Sequence, residues 1–292
     1  MFSFVVIVLS VLMVRLVDRT NGKIKSSGMT RRFYLHVPKS VRRSDPTPLV
    51  ITFHGFAEWP AHVMRTSGWN KLADQYGFLV VYPSGTGMPK HWRTRGVKGQ
   101  PDDPALDVQF VNDLILFLEQ KYNIDQSRIF INGFSNGGGI SHLLACKMAD
   151  KIAAFGSVSG ALLYPMQANE PTRPMPLIAF HGTADPIVPF NGGPSRSFEI
   201  PFPVVPDWVR NWAVLNGCEP DPAVIFNSTH VSGIQYDGLP GQASVIFYTI
   251  DGGGHAWPGG IPLPKWLAGS TTNEINATAL MWQFFSQHSL QP

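Results

Sequence analysis

Apolar residues along this chain fall into short unbroken runs, punctuated by glycine and proline, with helix-spaced segments between them. Leu49-Val50-Ile51-Thr52-Phe53-His54 and Gly77-Phe78-Leu79-Val80-Val81-Tyr82-Pro83 have no polar alternation, the pattern of strands buried on both faces. Residues 128–132, 153–159, 176–181 and 244–250 repeat it, while 32–38 alternate and predict a first strand at the sheet edge. Helical spacing marks 69–76, 138–148, 208–215 and 273–287, and 107–122 through Val108, Val111, Leu114, Ile115, Leu118 and Tyr122. Strands alternating with helices predict an α/β fold, a mostly parallel sheet with helices on both faces. No internal repeat or low-complexity linker interrupts residues 28–292, which read as one domain. Residues 18–29 read as a polar tether, 55–60 and 84–104 as loops, and 191–206 as a Pro-rich loop over the carboxyl ends of the strands.

The N-terminus departs from this pattern. Residues 2–14 are almost wholly apolar until Arg15, the length of a signal-peptide core and short of a membrane span. No Lys or Arg precedes the run and no small-residue cleavage site follows it, so 1–27 are expected to be a signal peptide or an N-terminal anchor plus tether. Either places the chain outside the cytoplasm, where Asn227-Ser228-Thr229 and Asn276-Ala277-Thr278 would be glycosylation sequons in a eukaryotic secretory pathway. At 292 residues, 44% hydrophobic and 15% charged, the chain has ample length for a large core. Its net charge of +3 is spread over short, separated basic pairs, which gives no footing for nucleic acid. Cys146 and Cys218 lack metal or redox spacing, and a buried free thiol at 146 competes with a disulfide between them.

Chemistry concentrates at Gly133-Phe134-Ser135-Asn136-Gly137, a G-x-S-x-G between a strand-like and a helix-like run. A serine on that turn projects its hydroxyl above the sheet, beside helix N–H groups suited to an oxyanion. The hydroxyl is a weak nucleophile and needs a base oriented by an acid. Asp185 follows the 176–181 run and His255 follows the 244–250 run, between glycines, giving the order Ser135, Asp185, His255 at successive strand ends. Asp251 is a rival acid that fits a turn better, and His181 and His142 fit structural roles. His54-Gly55 has the place of an oxyanion loop braced by the imidazole, with the N–H groups of Phe56 and Asn136 as donors. Trp257, Trp92 and Trp59 are candidates for an aromatic substrate-binding wall. HExxH, P-loop and dinucleotide fingerprints are absent, so no metal and no cofactor are expected.

Arg31-Arg32-Phe33-Tyr34 with Val37-Pro38, His54-Gly55, the Ser135 pentapeptide with Gly138, His181-Gly182-Thr183-Ala184-Asp185, Asn216-Gly217-Cys218 and Gly253-Gly254-His255-Ala256-Trp257-Pro258-Gly259 resemble the secreted polyhydroxybutyrate depolymerase/feruloyl esterase group of α/β-hydrolases. The resemblance covers about residues 28–288 and implies an extracellular serine esterase. Its substrates would be polyester, or aromatic and acetyl esters of plant polysaccharide, with Ser135, Asp185 and His255 as the triad. Phe56 departs from the cysteine often found there in the polyester depolymerases, and no separate polymer-binding domain is expected. The expectation is therefore an ester hydrolase acting on an ester substrate, possibly polymeric, with neither a nucleic-acid nor an integral membrane partner. A serine peptidase on the same fold is its rival, and a non-catalytic binding module that kept the fold is the alternative outside enzymes.

Overall fold

The computed structural model describes residues 19–99, 103–165, 170–195, 198–238 and 243–291, so the expected leader over 1–17 lies outside the described residues. The chain runs β1 (Gly22–Ser26), β2 (Met29–His36), β3 (Thr47–Phe53), α1 (Pro60–Ser67), α2 (Trp69–Tyr76), β4 (Leu79–Pro83), α3 (Ala105–Glu119) and β5 (Ile124–Phe134). It continues through α4 (Asn136–Lys147), β6 (Ala154–Val158), β7 (Leu177–Gly182), α5 (Val205–Leu215), β8 (Ala223–Asn227), β9 (Val231–Tyr236), β10 (Val245–Ile250), α6 (Lys265–Ala268) and α7 (Ala277–Phe285). The unbroken apolar runs are the central strands: every residue of β3, β4, β6 and β7 is buried.

These strands form a 10-stranded sheet in the order β1-β2-β4-β3-β5-β6-β7-β10-β9-β8. Pairing is parallel from β4 through β10 and antiparallel at both margins. Alternation along each strand divides the core in two. Leu49, Ile51 and Phe53 of β3 pack with α3, α4 and α5 on one face, and Val50 packs with α2 and α7 on the other. From β3 the chain crosses to β4 on one side and returns to β5 on the other, so a crevice opens beyond the carboxyl ends of β3 and β5.

The expected tether is partly strand. Gly22–Ser26 pairs antiparallel with Met29–His36 through the two-residue turn Ser27-Gly28, both left-handed at φ 46° and 76°. That is the backbone a twisted hairpin selects, and Ser-Gly supplies it without an asparagine to mark it. Helix α1 went unread, only its first residue falling in the loop expected over 55–60. Pro60 opens it at N1, where a missing N–H costs nothing, and Gly68 (φ 69°) ends it and leads directly into α2. Strands β8 and β9 and the short α6 also went unread; β8 is largely exposed, so burial left no pattern to see. Both cysteines are free thiols, and burial pushes Cys146 up to about 12. No described helix is long and apolar enough to cross a membrane.

Candidate active site

Strand β5 ends at Phe134 and α4 begins at Asn136, leaving Ser135 between them at φ 56°, ψ −119°. A non-glycine residue there is strained, and its surroundings must hold it. Ser135 N–H donates to Val158 O (2.9 Å), and Ser135 O accepts from Ala161 N (2.9 Å) and Gly139 N (3.1 Å). The flanking glycines are dictated by backbone contact. A Cβ on Gly133 would stand 2.2 Å from Gly137 O, and one on Gly137 would stand 2.1 Å from Phe53 O. Helix α4 is thereby pressed against the ends of β3 and β5. As the first residue of the helix, Asn136 has no intrahelical acceptor for its N–H.

The loops after β7 and β10 bring Asp185 and His255 together. His255 Nδ1 lies 2.8 Å from Asp185 Oδ2, with both side chains buried. Asp185 Oδ1 accepts from the N–H groups of Ile187 and Val188, each at 2.8 Å. Burial alone would raise the Asp185 carboxyl. The charge of His255, its hydrogen bond and the Val188 N–H outweigh that and hold the carboxyl below its ordinary range. His181 donates from Nε2 to Val188 O (2.9 Å), with Asp185 Oδ2 at 3.5 Å. Burial lowers its pKa despite Asp185, so His181 is a neutral brace under the acid. With Nδ1–H committed to Asp185, His255 keeps Nε2 as its acceptor nitrogen. Its ring packs 4.7 Å from that of Phe134, which places the imidazole beside the residue preceding Ser135. Asp251 instead accepts from Thr183 Oγ1 (3.2 Å), at the exposed edge of the same loops.

Across from the elbow, Gly55 approaches Ser135 closely: a Cβ built on it would stand 3.3 Å from Ser135 Cβ. His54 is fully buried and acts as the expected brace. Its Nε2 accepts from Gly85 N (2.9 Å), so Nδ1 carries the proton and donates to Gly55 O (2.8 Å). Among the described residues, no hydrogen bond occupies the Phe56 N–H. The Phe56 ring packs against His91 and Phe198, the latter in the 191–206 segment expected to lie over the site.

Two of the expected wall tryptophans require correction. Trp92 is 0% exposed and donates from Nε1 to His54 O (2.9 Å). Trp257 is 1% exposed and donates to Thr278 Oγ1 (2.9 Å), whose own hydroxyl donates to Ser67 O (2.6 Å). Each pins a loop of the site from inside, because a buried indole needs a partner for its N–H and a loop carbonyl or hydroxyl supplies one. Trp59, before α1, is alone of the three only partly buried.

Two side chains went unnoticed in the sequence. Asn136 was expected to serve through its N–H, yet its side chain also clamps the Trp92 segment. Its Oδ1 accepts from Trp92 N (2.7 Å), and its Nδ2 donates to Trp92 O (3.2 Å) and Thr94 Oγ1 (3.1 Å). Glu58 Oε2 accepts the Gly55 N–H (2.9 Å), a contact signalled only by the Gly-x-x-Glu spacing of a closed turn.

Residues 102–196 match the family model described as phospholipase/carboxylesterase. A bifunctional acetylxylan esterase/xylanase of Neocallimastix patriciarum is 33% identical over 169 residues, 58% of this chain and 23% of that protein. Feruloyl esterase B of Piromyces equi is 30% identical over 234 residues, 77% of this chain and 42% of that protein. The chain thus spans less than half the length of either relative. Among solved structures, an acetyl xylan esterase from Aspergillus awamori superposes with a TM-score of 0.62 at 15% identity, covering 91% of this chain and 98% of the other.

Proposed function

We propose that this chain, whose α/β-hydrolase fold and sequence are similar to those of feruloyl and acetylxylan esterases, hydrolyses carboxylic esters through Ser135, His255 and Asp185. The observation that carries the reading is the buried His255–Asp185 pair, 2.8 Å apart, standing beside a strained serine at the carboxyl end of a central strand. His255 Nε2 takes the Ser135 proton as Oγ attacks the ester carbonyl carbon, and the carbonyl electrons move to oxygen. The N–H groups of Phe56 and Asn136 receive that oxyanion, where one such donor is worth about 2.7–4 kcal/mol of transition-state stabilisation. Collapse breaks the bond to the alcohol, which leaves with the proton from His255. Water, deprotonated by His255, then attacks the acyl-enzyme and releases the acid and Ser135. Asp185 stays ionised throughout, fixing the Nδ1–H tautomer and stabilising the imidazolium.

The relatives' names favour feruloyl and acetyl groups on polysaccharide over a polyester as substrate, and the partly exposed Trp59 is the aromatic candidate for stacking such an acyl ring or sugar. The apolar 2–14 run supports secretion. The test is a panel of purified-protein assays with nitrophenyl acetate, methyl ferulate, a hydroxybutyrate ester and a peptide amide. Turnover of the first two, lost in folded Ser135→Ala, is expected; retained turnover in that variant, or preference for the amide, defeats the reading.

A further inference from the structure

The turn that faces Ser135 carries a carboxylate that the hydrolytic mechanism does not use. Gly55-Phe56-Ala57-Glu58 is closed by Glu58 N–H donating to Gly55 O (3.3 Å), and it passes through Ala57 in the left-handed region at φ 59°. A residue with a Cβ in that conformation costs about 1–2 kcal/mol, so the turn must be held from outside. One hold is Ala57 N–H donating to Lys90 O (2.8 Å). The other is Glu58 itself, whose Oε2 accepts the Gly55 N–H (2.9 Å), so that main chain and side chain of one residue grip both polar groups of Gly55. A charged acceptor makes that bond about twice as strong as a neutral one.

Charge so close to the site needs a counterweight, since Glu58 Oε2 would stand 3.0 Å from a Cβ on Gly55 that also meets Ser135 Cβ at 3.3 Å. An anion there opposes the oxyanion that ester attack creates. His62, one turn along α1, supplies the balance: its Nδ1 lies 3.1 Å from Glu58 Oε1. Burial by itself would raise the Glu58 carboxyl, but His62, the Gly55 N–H and His54 together lower it. Contact with Glu58 raises the His62 imidazole against burial and Arg65. The other charged or titratable groups acting on the pair are His54 at the end of β3 and Arg65 on α1, while the loop after β4 meets the turn through the Lys90 carbonyl on Ala57 and the His91 ring on Phe56.

We propose that Glu58 is a positioning residue that, with His62 balancing its charge, holds the Gly55–Glu58 turn so that the Phe56 N–H meets the carbonyl oxygen of an ester at Ser135. The proposal rests on the hydrolytic reading of Ser135. Glu58→Ala is expected to lower kcat about 10–100-fold, short of the loss of a whole donor, with KM within about twofold. Ala57→Gly added to Glu58→Ala should restore part of kcat, because glycine removes the strain that Glu58 holds.

The pH profile separates this role from a merely structural one. Above its raised pKa His62 is neutral, the Glu58 charge is uncompensated, and kcat should fall on the alkaline side. Glu58→Gln keeps an acceptor for Gly55 N–H without the charge, so it should lose that alkaline limb. The assays use purified full-length protein and nitrophenyl acetate, with circular dichroism for folding. Wild-type kcat in folded Glu58→Ala, a loss confined to KM, or an alkaline limb unchanged in Glu58→Gln would each overturn the proposal. If Glu58→Ala does not fold, the Glu58→Gln profile decides. Ser135→Ala on the same substrate keeps the two readings apart: turnover in that variant defeats the hydrolytic reading, whereas its loss beside an unaffected Glu58→Ala defeats only this one.

Discussion

The two walls that meet at Ser135 are fixed by different means. On the elbow side, backbone lies against backbone: Gly137 has room for no side chain because Phe53 O stands where a Cβ would begin. On the facing side, the His54–Glu58 segment is tied by side chains, with the His54 imidazole bridging Gly55 O and Gly85 N, the Trp92 indole on His54 O, and Glu58 on Gly55 N. A wall made by main-chain contact is rigid and indifferent to pH, but it tolerates almost no substitution. A wall made by side chains tolerates change in small steps and responds to the charge on its members. The proposed nucleophile Ser135 thus sits on the unyielding side, and its proposed oxyanion donor Phe56 on the adjustable one.

Several substitutions break or sharpen that contrast. The largest effect is expected where a side chain orients the base itself: Asp185→Asn should lower kcat on nitrophenyl acetate by about 10⁴, with little change in fold, because an amide can donate to Nδ1 and fix the wrong tautomer. Next is Gly137→Ala, which presses a methyl into Phe53 O. It should cost at least about 3 kcal/mol in denaturant unfolding or prevent soluble expression, since no flexible side chain is there to yield.

Behind the elbow, His142 is buried and its pKa is lowered to about 4, burial outweighing the Tyr164 carbonyl it donates to. Trp212 Nε1 lies 3.3 Å from its Nδ1, which fits the neutral ring. Because the unfolded chain takes up that proton near the ordinary 6.5 and the folded chain only near 4, stability should decline by on the order of 3 kcal/mol as pH falls between them. Urea unfolding at pH 7 and pH 4.5 measures this, and His142→Asn should flatten the dependence. The smallest effect belongs to the side-chain wall. Trp92→Phe keeps the ring but leaves His54 O without its indole donor, for an expected cost of about 1–3 kcal/mol in stability and a modest fall in kcat.

The same contrast separates what could be read in the sequence from what could not. Buried strands announce themselves by composition, so β3, β4, β6, β7 and β10 were legible, as was the placement of Ser135, Asp185 and His255 where such strands end. Trp92 and Trp257 were visible as residues, but their inward orientation was not, because it depends on a carbonyl and a hydroxyl far along the chain. Asn136 and Glu58 escaped for the same reason: a polar side chain that ties one loop to another leaves no periodic trace. The Gly22–Ser26 strand escaped because its partner, not its own burial, holds it in the sheet.

The central claim is that Ser135 is a nucleophile activated by His255. The most direct measurement is intact-protein and peptide mass spectrometry after exposure to a fluorophosphonate probe. One adduct per chain on the peptide bearing Ser135, lost in folded His255→Ala, is the predicted result. Modification at another residue, or labelling of Ser135 undiminished in His255→Ala, would contradict it.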